Sequence, residues 1–211
     1  MNDFLDFPKP FICVIRHGET AAAKAGRMNG IREEPLTEMG ERQAASLQAP
    51  LNAIVWDKVL CSPLGRVRRT AELAGFPAPE IVPDLIEFDC GNYENLTAAE
   101  IRSKRAGWDF WRDGCEGGET SETAGARVDR VLAGLVGEPG ATLLFSHAAT
   151  GRLLVARFLG LPGRMASAFS FDPAHLGVLG RRSNPAVFLW NDGSHLPSAH
   201  KSDRDLFALP H

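Results

Sequence analysis

The chain alternates short, unbroken apolar runs with stretches whose apolar residues recur every three to four positions. Residues 11–15 (FICVI) form the first run, which is short, continuous and rich in β-formers, the pattern of a strand buried on both faces. Residues 38–52 follow as a helix, with Thr37 placed to cap it. Residues 58–61 read as a weaker strand, after which Ser62-Pro63 supplies an N-cap and a first-turn proline for a helix ending near Gly75. Thr97-Ala-Ala-Glu100 fits a capping box. Ser121 is placed to cap a longer helix whose Ala124, Val128, Val131, Leu132 and Leu135 share one apolar face. Residues 142–146 are again a buried strand, and a helix over about 149–159 is closed by Gly160 and Pro162. Residues 176–180 and 186–190 read as a hairpin around a polar RRSNP turn. The alternation predicts an α/β protein. Its expected architecture is a three-layer α/β/α sandwich around a mostly parallel sheet of about six strands, one of them antiparallel.

Length and composition narrow the class. The chain has 211 residues, 44% of them hydrophobic and 23% charged, which suits a single domain over residues 1–211 with a core at about 11–196. A net charge of −3 argues against a nucleic-acid binder. The N-terminus lacks a signal-peptide pattern, and Arg152 and Arg157 interrupt the most apolar helix, so no membrane association is expected. Cys13, Cys61, Cys90 and Cys115 are widely spaced and form neither a metal framework nor a disulfide scaffold. A reducing, cytoplasmic compartment follows as the expectation, with no cofactor or metal. The oligomeric state is open, a homodimer included.

Polar residues gather at comparable places in this pattern. Arg16-His17 closes the first strand, Arg66 lies in the first turn of the helix after the second, and Ser146-His147 precedes the late helix. Strand carboxyl ends form the ligand edge of an open parallel sheet, so two histidines and two arginines are expected in one crevice. Helix N-termini after Ser62 and His147 would add partial positive charge. The implied ligand is an anion. Phosphate fits best, because arginine forks grip two oxygens at once and a neutral imidazole can attack phosphorus.

The residues also carry a resemblance. Ile15-Arg-His-Gly-Glu-Thr20 resembles the signature of the histidine phosphatase superfamily, also called the phosphoglycerate-mutase-like family. The similarity continues in order through Pro35-Leu36-Thr37-Glu38-x-Gly40, Ser62-Pro63-Leu64-x-Arg66, Leu85-x-Glu87-x-Asp89-x-Gly91, Ser146-His147 and Asn191-Asp192-x-x-His195-Leu196, spanning roughly residues 11–196. It implies a catalytic set of His17, Glu87, His147, Arg16 and Arg66. His17 is then the nucleophile, Arg16 and Arg66 clamp the phosphoryl oxygens, and His147 is the second pocket histidine. Glu87, chosen over Asp89 and Glu94, becomes the proton donor, kept protonated by apolar neighbours such as Phe88. Substrate binding falls to Arg16, Arg66, Thr20, Asn29 and Ala148. The chain departs from the family pattern at Ala23, where members carry Asn, and at Ala148, where they carry Gly.

The activity so implied is that of a metal-independent phosphomonoesterase of histidine acid phosphatase type, acting through phosphohistidine on a small phosphorylated substrate. Phosphoglycerate-mutase-type transfer and a weakly active phosphate-binding module are the alternatives. The compact segment between Glu87 and His147 favours water as acceptor. Around the site, Trp108, Phe110 and Trp111 read as a packed helix face before a lid. Gly117-Gly118-Glu119-Thr120 could line the mouth or lead into the next helix, and Lys24, Arg27 and Arg32 could hold a second anion. His175, His195, His200 and His211 read as structural or solvated.

Overall fold

The computed structural model describes residues 7–197; His200 and His211 lie outside them. Strand β1 (Phe11–Arg16) is wholly buried, as the continuous apolar run requires, and so is β4 (Ala141–Ser146). With β2 (Lys58–Cys61), β3 (Glu80–Ile81), β5 (Leu176–Arg181) and β6 (Pro185–Asp192) they form one six-stranded sheet in the order β3-β2-β4-β1-β5-β6. β1, β2, β3 and β4 run parallel to one another. β5 runs antiparallel to both β1 and β6, so it alone is reversed in the sheet.

Side chains alternate across this sheet and divide the core in two. Ile12, Val14, Leu144 and Leu179 face a cluster that takes in α7 (Ser121–Ala133) and α8 (Ala148–Phe158). Phe11, Cys13, Ile15, Leu143 and Phe145 face the opposite cluster. There they meet Leu47 and Leu51, at the ends of α2 (Glu38–Ser46) and α3 (Gln48–Leu51), and Val67 and Ala71 of α4 (Gly65–Leu73). The result is the three-layer sandwich that the alternating pattern predicts.

Several local expectations are corrected. The helix expected over 38–52 is two helices, because Pro50 has no N–H to donate to the Ser46 carbonyl and the ladder breaks at Leu47. Ser121 does not cap α7; Thr120 does, in a capping box with Thr123. The buried Ser121 hydroxyl instead donates to the Trp111 carbonyl. Nor does Ser62 cap α4, which begins at Gly65, whose N–H the Glu33 carboxylate accepts at 3.0–3.1 Å. The two-residue strand β3 has too little pattern to be read. Thr37, and Thr97 with Glu100, cap as expected. Trp108, Phe110 and Trp111 are buried and pack edge to face with one another, as a core face.

One backbone approach ties the segment after β1 to α2. A Cβ on Gly40 would sit 2.1 Å from the Glu19 carbonyl oxygen, and one on Gly18 would sit 2.3 Å from that of Gly40. Only glycines allow this contact, which holds the chain immediately beyond His17.

Candidate active site

Register brings the polar strand ends together. Arg16 pairs with Ser146 across β1 and β4, and Cys61 with Phe145 across β2 and β4. His17, His147 and Ser62, each one residue further on, therefore emerge side by side at the carboxyl edge of the sheet. The two imidazole centroids are 5.2 Å apart and the rings meet at 70°.

The hydrogen bonds of His17 fix its tautomer. Its Nδ1 lies 2.7 Å from the Gly18 carbonyl, which can only accept, so Nδ1 carries the proton. Nε2 keeps its lone pair and accepts from Arg66 Nε at 3.3 Å. Burial, then the Arg66 and Arg16 charges, hold the His17 pKa well below 6.5, against the opposing Gly18 hydrogen bond. The ring is thus a neutral nucleophile with Nε2 as the attacking atom.

Both arginines are anchored by carbonyls. Arg66 Nη1 donates to Arg32 O and Nη2 to Gly30 O, each at 2.7 Å, so the 30–32 loop is strapped across the site. Burial lowers the Arg66 pKa, while Glu87, Glu33, Glu34 and Glu94 oppose the shift; a guanidinium keeps its charge regardless. Arg16 Nη1 donates to the Phe171 carbonyl. Asn191 fixes that carbonyl indirectly, bonding the neighbouring Asp172 through its backbone N–H (2.7 Å) and its carboxylate (3.1 Å). Asn191 of the C-terminal Asn-Asp motif therefore braces the segment that holds Arg16.

His147 Nε2 is 2.7 Å from Ser62 Oγ, and Nδ1 is buried with no hydrogen-bond partner. Burial first, then the charges of Arg66, His17, Arg127 and Arg16, put its pKa well below 6.5. His147 is fully buried beside His17 and is not among the residues that line the cavity, and a water or a ligand oxygen could satisfy this nitrogen.

Glu87 is buried at the same edge, but apolar crowding does not surround its carboxyl. It accepts from the backbone N–H of Phe88 (2.9 Å), Ala149 (3.2 Å) and Thr150 (3.0 Å), and from the Thr150 hydroxyl (3.2 Å). The Phe88 ring turns away to pack on Phe110, 4.6 Å between centroids. Two expectations of open helix ends are corrected with this: Glu87 sits on the N-terminus of α8 and Glu33 on that of α4, so carboxylates already occupy both. Asp89 and Glu94 are committed elsewhere, accepting from Gly91 N and Ile31 N.

An open cavity of about 500 Å³ is lined by Arg16, His17, Arg66 and Glu87, together with Thr20, Asn29 and Ala148. Thr20 uses its hydroxyl to accept from Ala23 N at 3.2 Å. Asn29 Nδ2 is buried and unpartnered, a donor held ready where Ala23 offers none. Ala148 is 4% exposed on the cavity wall. Lys24 and Arg32 do not line the cavity. Residues 117–120 do not line it either. They lace onto the Glu87 segment, with Glu119 N donating to Asp89 O at 2.9 Å.

Sequence reasoning missed four supports. Ser62, read as a helix cap, holds His147; Thr150 holds Glu87; and Thr70 accepts from Gly18 N at 3.1 Å. Arg127 gathers the Asp84 and Ile86 carbonyls at 2.6 and 2.8 Å and pairs with Glu119 at 2.9 Å. Ser62 alone had a signal, its place in the Ser-Pro-Leu segment before Arg66. Among the described residues no three His, Cys, Asp or Glu side chains are grouped to hold a metal ion, and no helix is long and apolar enough to cross a membrane.

Comparison with known proteins agrees with this geometry. The family model of the histidine phosphatase superfamily (branch 1) matches residues 12–193. An acid phosphatase of Mycobacterium tuberculosis is 34% identical over 173 residues, covering 80% of this chain and 85% of its own. An adenosylcobalamin/alpha-ribazole phosphatase of Salmonella typhimurium is 36% identical over 160 residues, covering 71% and 79%. The solved structure of a Mycobacterium tuberculosis open reading frame product superposes with a TM-score of 0.83 at 31% identity, over 87% of this chain and 98% of that one. The chain belongs to the histidine phosphatase superfamily, branch 1, and with that membership comes phosphomonoester chemistry at the level of the superfamily.

Proposed function

We propose that the protein is a metal-independent phosphomonoesterase that works through a phosphohistidine at His17 on a small phosphorylated substrate. One observation carries the reading: a buried imidazole, its Nδ1 proton anchored on Gly18 O, presents Nε2 beside two guanidinium groups. Nε2 attacks phosphorus, the bond from phosphorus to the ester oxygen breaks, and that oxygen leaves with a proton from Glu87. Water then attacks the phosphohistidine and gives its proton to Glu87, the P–N bond breaks, and inorganic phosphate departs. Arg16, Arg66, Asn29 and His147 Nδ1 would bind the phosphoryl oxygens, stabilising the charge spread over them during in-line transfer.

The test is release of phosphate from p-nitrophenyl phosphate with EDTA present, and of acid-labile phosphoenzyme after a quench. His17→Ala is expected to abolish both while keeping the far-UV spectrum of the parent. Normal turnover by His17→Ala would remove the nucleophile assignment. Conversion of 3-phosphoglycerate to 2-phosphoglycerate without release of inorganic phosphate would favour the mutase alternative.

A further inference from the structure

The cavity has two unlike halves. Its inner end holds Arg16, His17, Arg66, Asn29 and Glu87, the groups proposed above for the phosphoryl group. Its other walls are mainly Ala23, Gly26, Met28, Phe88, Cys90 and Phe110, none of which carries a charge or a strong hydrogen-bond donor, with Arg27 as the charged exception. Met28, Phe88, Cys90 and Phe110 are all buried and belong to one continuous core cluster. The Phe110 ring is held on three sides, with centroids 4.6 Å from Phe88, 4.9 Å from Trp111 and 6.3 Å from Trp108. It is a fixed aromatic wall, and a ring docking on it immobilises little protein.

The polar lining groups of this half are already engaged. Arg27 donates through Nη1 to the Asn95 carbonyl and to the Glu100 carboxylate at 3.2 Å, a half-exposed ion pair that draws its head towards α5 (Ala98–Lys104). The Thr20 hydroxyl receives Ala23 N. A second phosphate or a carboxylate on the substrate would meet mostly apolar walls, with Arg27, already paired with Glu100, as its counter-charge beyond the phosphoryl clamp, which disfavours it. An apolar body of ring size would gain from burial against them.

We infer that the leaving-group half of this cavity is an apolar subsite, selecting monoesters of uncharged alcohols with an aromatic or similarly bulky apolar body over bisphosphates and phosphorylated carboxylic acids. The inference rests on the phosphomonoesterase reading and adds the substrate class to it.

The experiment compares kcat/KM for benzyl phosphate, glycerol 1-phosphate and 3-phosphoglycerate. All three are unactivated alkyl monoesters, so leaving-group chemistry is broadly matched and the subsite decides. Benzyl phosphate is expected to lead the other two by at least ~10-fold, the discrimination apolar pocket contacts typically give. Phe110→Leu, which keeps an apolar core residue, should lower that ratio several-fold. Ala23→Arg, on the exposed side of the wall, should shift the preference towards 3-phosphoglycerate. Equal values for the parent protein, or a preference for 3-phosphoglycerate, would overturn the subsite and leave the phosphatase reading standing. No turnover of any ester, p-nitrophenyl phosphate included, would overturn both.

Discussion

At the scale of single residues, function depends on which hydrogen bond each ring nitrogen makes. His17 donates from Nδ1 to a carbonyl and so keeps the lone pair on Nε2, while burial and two guanidinium groups keep the ring neutral. His147 is aligned by one contact, from Ser62 Oγ to Nε2, which leaves Nδ1 unpartnered. Ser62→Ala should therefore loosen His147 and leave a buried nitrogen unsatisfied, a loss on the order of 1–3 kcal/mol. A fall in kcat of about tenfold, with less change in KM, is the expected result in steady-state kinetics. Ser62→Thr, which retains the hydroxyl, should recover part of it. Unchanged kcat for the alanine variant would show that His147 needs no such alignment.

Elements matter for the way they hold that geometry in place. The segment from Asp84 to Glu87 runs from a short 3-10 turn (Pro83–Leu85) to the edge of the sheet without a regular ladder of its own. Arg127 of α7 replaces the ladder, donating to the Asp84 and Ile86 carbonyls and pairing with Glu119, itself bonded to Asp89 N at 2.9 Å. With side-chain exposures of 9% and 20%, the Arg127–Glu119 pair is largely withdrawn from water. Arg127→Met removes one charge and strands the other, which typically costs about 3–5 kcal/mol for a buried pair. Urea denaturation should show a loss of roughly that size, and kcat should fall as Glu87 loses its fixed position. Stability equal to the parent's would mean that the carbonyls are held by other means. Sequence periodicity located α7 correctly because its apolar face is regular. It gave no hint of Arg127, because an arginine on a helix reads as solvated until its partners are known.

For the molecule as a whole, the site lowers stability towards acid. His17 and His147 have folded-state pKa values well below 6.5, whereas the unfolded chain titrates near that value. As pH falls below 6.5 the unfolded state takes up protons that the folded state refuses, so stability declines through that window. The Asp84 and Asp113 carboxylates, lowered mainly by Arg130 and Arg112, shift in the same direction, and the stability they add is lost only at more acidic pH, near and below 3.8. Melting temperature should hence drop between pH 6.5 and 5, before carboxylate titration dominates. His147→Gln should flatten that part of the profile. A flat parent profile in this range would show that the two rings are not kept neutral by the fold.

The sequence by itself determined the α/β class, the buried strands β1 and β4, the helix caps at Thr37 and Thr97, and the ordered motifs that mark Arg16, His17, Arg66, Glu87 and His147. These are local facts: a continuous apolar run, a 3.6-residue period, or a polar pair at a strand end has the same meaning wherever the chain goes. Only the tertiary structure decided that Ser62 serves His147 and not a helix, and that Glu87 and Glu33 fill the helix ends expected to hold phosphate. It also decided that Arg27 turns to Glu100 and that Phe110 faces both the core and the cavity. Those outcomes are contests among partners far apart in sequence. Hydrogen-bond donors and charges go to whichever partner the packed layers bring within about 3 Å, and sequence spacing does not record that distance.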